Sequence, residues 1–138
     1  VLDKVVRPAR FRILPDHTFR QNDPAVVGVE VISGTLQNNR NVGFFEGNEF
    51  ERVGGLSGIQ KQGEDVDEAR AGERVSIAID GPTVGRGIEE GDTLWTEVPE
   101  KHAKILEQEL KEEITADERE ALQGYLETRR KRDPFWGK

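Results

Sequence analysis

The chain contains no cysteine, which excludes disulfide bonds and thiolate metal sites and suits a protein kept inside the cell. Its only histidines are His17 and His102, with no H-E-x-x-H spacing, so the usual zinc site is excluded too. The three serines, Ser33, Ser57 and Ser76, stand outside any G-x-S-x-G elbow. No run approaches the roughly 18 apolar residues of a membrane span, and no basic-then-apolar leader opens the chain. A G-x-x-x-x-G-K-[ST] loop is absent, so these residues cannot hydrolyse a nucleotide in the usual way. Gly85-Arg86-Gly87 starts like a dinucleotide fingerprint, but its third glycine comes late, at Gly91, and a strand follows where a helix is needed. Asp65 and Asp67 start like a calcium loop, yet Ala69 and Arg70 stand where an oxygen ligand and a glycine are required. Both stretches read as loops.

Charge of one sign is also limited. The net charge is −7 over 138 residues, which argues against indiscriminate binding to phosphate backbones. Residues 1–98 hold 17 acidic and 11 basic side chains, and residues 99–138 hold 10 and 9. Any nucleic-acid contact must therefore come from a few placed cations. The length suits one medium domain, with apolar and charged residues each near a third of the composition. The chain begins at Val1 rather than methionine, which reads as a piece of something longer.

Thirteen of the 15 glycines and four of the six prolines precede Pro99. With short alternating apolar runs, this predicts an all-β body followed by helices. Strands are predicted at Ala9–Leu14, ended by Pro15, and at Ala25–Ile32, with Val27, Val29 and Val31 on one face. Gly28 inside the second suggests a bulge or a barrel bend, and Ser33-Gly34 suggests a turn. Shorter segments fall at Val42–Phe45 and Asn48–Val53, then Leu56–Gln62, Arg74–Ile79 and Thr93–Val98, with 80–91 a glycine-rich loop. Six or seven strands so spaced suit a small closed barrel over residues 1–98.

The remaining residues, 99–138, read as two helices. Pro99 opens the first, and Ala103, Leu106, Leu110 and Ile114 form one apolar stripe. Glu100–Lys104 and Glu107–Lys111 are i,i+4 pairs worth about 0.3 kcal/mol each. Thr115 and Glu118 form a capping box for the second helix, whose basic end, Arg129–Arg132, complements the helix dipole. Asp133-Pro134 stops it, and Pro134 stiffens the approach to Trp136. Burying a ring of that size gains on the order of several kcal/mol. The tail is therefore predicted to fold back, with Trp136 against Tyr125 and Leu126 and Arg129 or Arg130 over its face.

Two constellations carry functional readings. Lys61 on one strand faces Arg74 and Ser76 on another, which is either an ordinary solvated barrel face or a cationic patch for a single-stranded RNA end. Leu122, Tyr125, Leu126, Arg129, Arg130, Phe135 and Trp136 are either a helix packing inward with a stapled terminus or an apolar groove rimmed by arginine that suits an acidic peptide.

The runs VPEKHAKILEQEL, DEREAL and KRDPFWGK closely resemble the C-terminus, domain four, of archaeal translation initiation factor five-B, the relative of bacterial initiation factor two. The order VEVISGTL, GLSGIQKQGEDVDEARAGERVSIAIDG, GIEEGDTLW is similar to the second-domain barrels of translational GTPases. The resemblance implies a mainly β fold, a translational-GTPase barrel followed by a two-helix subdomain. It also implies a cytoplasmic, monomeric module that binds the ribosome and holds the methionyl-CCA end of initiator tRNA while the subunits join. By position, Gln60, Lys61, Arg74 and Ser76 match the tRNA-binding residues of relatives. The last helices match the part of eukaryotic relatives that binds the acidic tail of initiation factor one-A. This chain would need no cofactor and would not be an enzyme, because GTP and Mg belong to a distant domain of the intact protein. Two rivals remain: an adaptor whose helices bind an acidic partner peptide, which would not distinguish charged from uncharged tRNA, and a small hydrolase, which needs two carboxylates converging in a pocket.

Overall fold

The computed structural model describes residues 2–138. Ten strands precede two helices: β1 Ala9–Arg20, β2 Ala25–Gln37, β3 Asn41–Glu46, β4 Glu49–Lys61, β5 Glu64–Asp65, β6 Glu68–Arg70, β7 Arg74–Asp80, β8 Thr83–Val84, β9 Gly87–Ile88, β10 Thr93–Thr96, then α1 Glu100–Gln108 and α2 Ala116–Arg132. The sheet runs β1-β10-β3-β4-β7-β2, and β2 also pairs with β1. These antiparallel pairings close a six-stranded barrel, which leaves no open edge among its own strands. The alternating positions point inward as expected: Val27, Val29, Val31, Val75, Ile77 and Ile79 are buried together with Phe11, Ile13, Ile59 and Leu94.

Several strands differ from the sequence reading. β1 does not stop at Pro15 but resumes and runs to Arg20. Its register jumps from Ile13 opposite Val29 to Thr18 opposite Val27, so Leu14–His17 bulge out across the single residue Gly28. A proline is tolerated there because the bulge needs no ladder N–H from it. The irregularity suggested by Gly28 thus lies in its partner strand, while Gly28 itself stays in register with Ser76. Ser33-Gly34 is not a turn, since β2 continues through it to Gln37. The segments Asn48–Val53 and Leu56–Gln62 are parts of one strand, β4. Two short strands, β8 and β9, pair in parallel inside the 80–91 loop.

The helices pack on one side of the barrel. Thr115 caps α2: its Oγ1 accepts from the Glu118 N–H at 3.2 Å, and its own N–H donates to Glu118 Oε1 at 2.9 Å. α1 ends at Gln108, short of Leu110 and Ile114. Both of those residues are still buried from the turns that follow. Four glutamates, Glu107, Glu109, Glu112 and Glu113, crowd what would be the negative end of a longer helix, which disfavours its extension. Glu107 pairs with Arg130 rather than Lys111.

A second core forms here from Leu106, Leu110, Ile114, Leu122, Tyr125 and Leu126, with Phe45, Phe50 and Trp95 of the barrel against it. Val5 and Val6 belong to this helical core, although they precede β1. The Val6 N–H donates to His102 Nδ1 at 3.0 Å, which gives that histidine a structural task. Arg7 makes a bidentate pair with the fully buried Glu118, at 2.6 and 2.9 Å. The entering segment thus ties the barrel and both helices together.

Candidate functional site

The bulge in β1 shapes the barrel's outer face. Gly28, Ser76 and Gln60 lie in one row across β2, β7 and β4. Gly28 leaves room for His17, whose Cβ would sit 2.9 Å from any Cβ placed on Gly28. The His17 Nδ1–H donates to the Pro15 carbonyl at 2.6 Å, and its ring meets Phe19 edge to face with centroids 6.3 Å apart. From the other side, Glu90 accepts from Thr18 Oγ1 at 2.7 Å and from the Asp16 N–H at 3.0 Å. These hydrogen bonds hold the Glu90 carboxyl below the usual carboxylate range.

The result is a depression of about 170 Å³ with Leu14 and Val75 at its apolar side and His17, Phe19, Gln60, Gln62, Arg74 and Ser76 around it. Gln60, Arg74 and Ser76, singled out from the sequence, come together here. Gln60 Nε2 donates to Asp65 Oδ1 at 3.1 Å. The Arg74 guanidinium stays mostly exposed, 4.0 Å from Glu30. Lys61 does not line the depression; it is held by Glu73, whose carboxyl that contact lowers. His17 and Phe19 were missed because only the bulge seats His17 over Gly28, with Phe19 beside it. The one available signal was an apolar residue in the otherwise polar run His17-Thr18-Phe19-Arg20.

The second constellation divides in two. Tyr125 is fully buried, and its hydroxyl accepts from the Val98 N–H at 3.2 Å and from Arg129 Nη2 at 3.1 Å. Burial pushes this phenol's pKa up. The Arg129 guanidinium lies 4.9, 5.4 and 4.7 Å from the ring centroids of Phe50, Tyr125 and Trp136. The Trp136 and Tyr125 centroids are 5.8 Å apart. Arg130 pairs with Glu107 at 2.8 Å and donates from Nε to the Trp136 carbonyl at 2.8 Å. The tail does fold back, and Tyr125, Arg129 and Trp136 form a cation–π stack at the barrel–helix joint, where Arg129 and Trp136 also line a depression of about 360 Å³ with Phe50 and Arg132. Phe135 is left 78% exposed.

Leu122, Leu126 and Arg130 instead line a separate groove of about 140 Å³ between α1 and α2, with Leu106, Ile114 and Lys111. Trp136 is half-buried, so the wild-type emission minus that of a Trp136→Phe variant should be a blue-shifted spectrum. A difference spectrum typical of solvated tryptophan would contradict the fold-back.

Among the described residues no group of three or more His, Cys, Asp or Glu is placed to hold a metal ion. No helix there is long and apolar enough to cross a membrane.

A family profile described as elongation factor Tu domain 4 matches residues 7–95, which is the barrel. The chain is 93% identical over its full length to a probable translation initiation factor IF-2 of Halorubrum lacusprofundi, covering 23% of that relative. It is 70% identical over its full length to the like-named protein of Halobacterium salinarum, again over 23% of it. The structure superimposes on the crystal structure of GDP-bound aIF5B from Aeropyrum pernix with a TM-score of 0.89 and 34% identity, covering 99% of this chain and 22% of that one. The chain thus spans under a quarter of the length of the relatives it matches. It belongs to the elongation factor Tu domain 4 family, in the barrel-plus-two-helix form carried by archaeal translation initiation factors of the IF-2/aIF5B kind.

Proposed function

We propose that this chain is a binding module in translation initiation, with no chemistry and no cofactor of its own, and that its barrel grips the methionyl-CCA end of initiator tRNA on the ribosome in the cytoplasm. The observation that carries the reading is the depression beside Phe19. A mostly free guanidinium, two glutamines and a hydroxyl surround an apolar floor. A single-stranded RNA end needs these groups: a cation for phosphate, amides for base edges and 2′-hydroxyls, and an apolar wall for an aminoacyl side chain. The relatives' names support the initiation role.

Arg74→Ala should weaken binding of the methionyl-CCA end by about 1–2 kcal/mol without moving the thermal midpoint, because this side chain is exposed. Lys61→Ala should do less, since Lys61 is committed to Glu73. Isothermal titration with a charged CCA-ended RNA checks both. Unchanged affinity in the double variant would remove this face from the interaction.

The groove between α1 and α2 favours a second contact of the same module, with an acidic peptide such as the tail of initiation factor one-A. Its floor is Leu106, Ile114, Leu122 and Leu126, with Lys111 and Arg119 on the rim beside Glu127 and the Arg130–Glu107 pair. Titrating that peptide while following the leucine methyl resonances tests it. Shifts confined to the barrel would exclude the groove.

A further inference from the structure

Phe19 is 63% exposed, the most exposed large apolar side chain among the described barrel residues. Leaving such a ring in water is unfavourable unless something covers it. It is not held loosely. Its strand is pinned by Thr18 and Asp16 to Glu90, and its ring edge is fixed against His17, which is itself seated over Gly28. Phe19 lines two depressions at once: the 170 Å³ one with Gln60, Arg74 and Ser76, and a broader one in which Arg20 stands with the carboxylates of Glu89 and Glu90. Only the first offers a cation with no carboxylate in its lining.

We infer that Phe19 is the stacking platform for the 3′-terminal nucleobase of a single-stranded RNA, with Arg74 placed for the adjoining phosphate. This rests on the RNA-end reading of the barrel face and assigns the residue that carries its affinity. An exposed ring on a pinned strand, beside a cation and amide side chains, is the arrangement by which single strands are held through stacking. An acidic peptide would use the arginine but would leave the ring uncovered.

The test uses the 138-residue chain and a short single-stranded RNA ending in CCA, with 2-aminopurine replacing the last adenine. Stacking should quench the probe's fluorescence on binding. Phe19→Leu, which keeps apolar bulk on an exposed site, should abolish the quenching and weaken affinity by about tenfold or more, while Phe19→Tyr should keep both. An RNA with an abasic 3′ end should bind wild type as weakly as the intact RNA binds Phe19→Leu, and combining the two changes should add little further loss. If RNA binds and depends on Arg74 but is indifferent to Phe19→Leu and to the missing base, the platform is overturned and the RNA-end reading stands. If no RNA binds the wild-type chain, or binding ignores Arg74 as well, both fall.

Discussion

Glu118→Ala is expected to lower the stability of the chain by about 3 kcal/mol, since breaking a buried ion pair by removing one partner leaves the other uncompensated. For a chain of this size that corresponds to a fall in Tm on the order of 10 °C. Glu118 is fully buried at the start of α2. Burial alone would raise its pKa, but hydrogen bonds from Arg7 and the Thr115 N–H, the Arg7 charge and a hydrogen bond from Thr35 outweigh that and hold it below the usual carboxylate range. Removing the carboxylate strips Arg7 of its partner and Thr115 of half its capping box.

The sign of the pH dependence follows from that lowered pKa. A depressed carboxylate contributes stability above its unfolded value, near 4.3, and loses that contribution as pH falls through the folded value. The gap between wild type and variant should thus be constant near neutrality and narrow below about pH 4. Some acid sensitivity should persist in the variant, because Glu107 is also lowered, by its hydrogen bond to Arg130. Arg7→Leu should cost a similar amount, and the double variant less than the sum. Thermal unfolding across pH checks these outcomes; parallel curves at all pH values would contradict the assigned role of the pair.

Gly34→Ala should be comparably damaging. Gly34 lies mid-strand with φ +88°, a region that disfavours any L side chain by about 1–2 kcal/mol. A Cβ there would also stand 2.0 Å from the Pro8 carbonyl oxygen and 2.8 Å from the Ala9 Cα. Both are backbone atoms, so relief requires β1 and β2 to separate where they close the barrel. The same movement would strain the Thr35 N–H bond to the Pro8 carbonyl and the Gly34 N–H bond to Asp117 at the start of α2, each 3.0 Å. The combined loss should be about 3 kcal/mol, read as a lower urea midpoint with unchanged slope. Amide exchange should accelerate first at Gly34 and Thr35. A midpoint equal to wild type would mean that the strand adopts another conformation at this position.

The tertiary role of each site lies beyond local sequence pattern for a physical reason. Arg7 and Glu118 are 111 residues apart, and Gly34 looked like a turn because positive φ is far commoner in turns than inside strands. Local periodicity was readable wherever one face meets the core and the other meets solvent: Val75, Ile77 and Ile79 alternate inward as expected, and the Thr115–Glu118 box is formed. The same period misled at Leu110 and Ile114, which stay buried from turns rather than a helix. At the barrel face, Arg74 and Ser76 were legible from strand alternation and Gln60 from the family resemblance, and the pairing of β4 with β7 sets Gln60 opposite Ser76. His17 and Phe19 could not, since the bulge that seats His17 over Gly28, with Phe19 beside it, is set by closure of β1 on β2. In the tail, Arg129 lies against three rings and Arg130 pairs with Glu107, contacts that join distant segments and that no local pattern announces.

The central claim is that the barrel face holds an aminoacylated RNA end, and it is tested most directly by titrating this chain with methionyl initiator tRNA and with the same tRNA deacylated. The account predicts tighter binding of the charged form, because only it carries a side chain for the apolar wall at Leu14, and predicts that Arg74→Ala weakens both forms. Equal affinity for the two, or charged-form binding unaffected by Arg74→Ala, would contradict it.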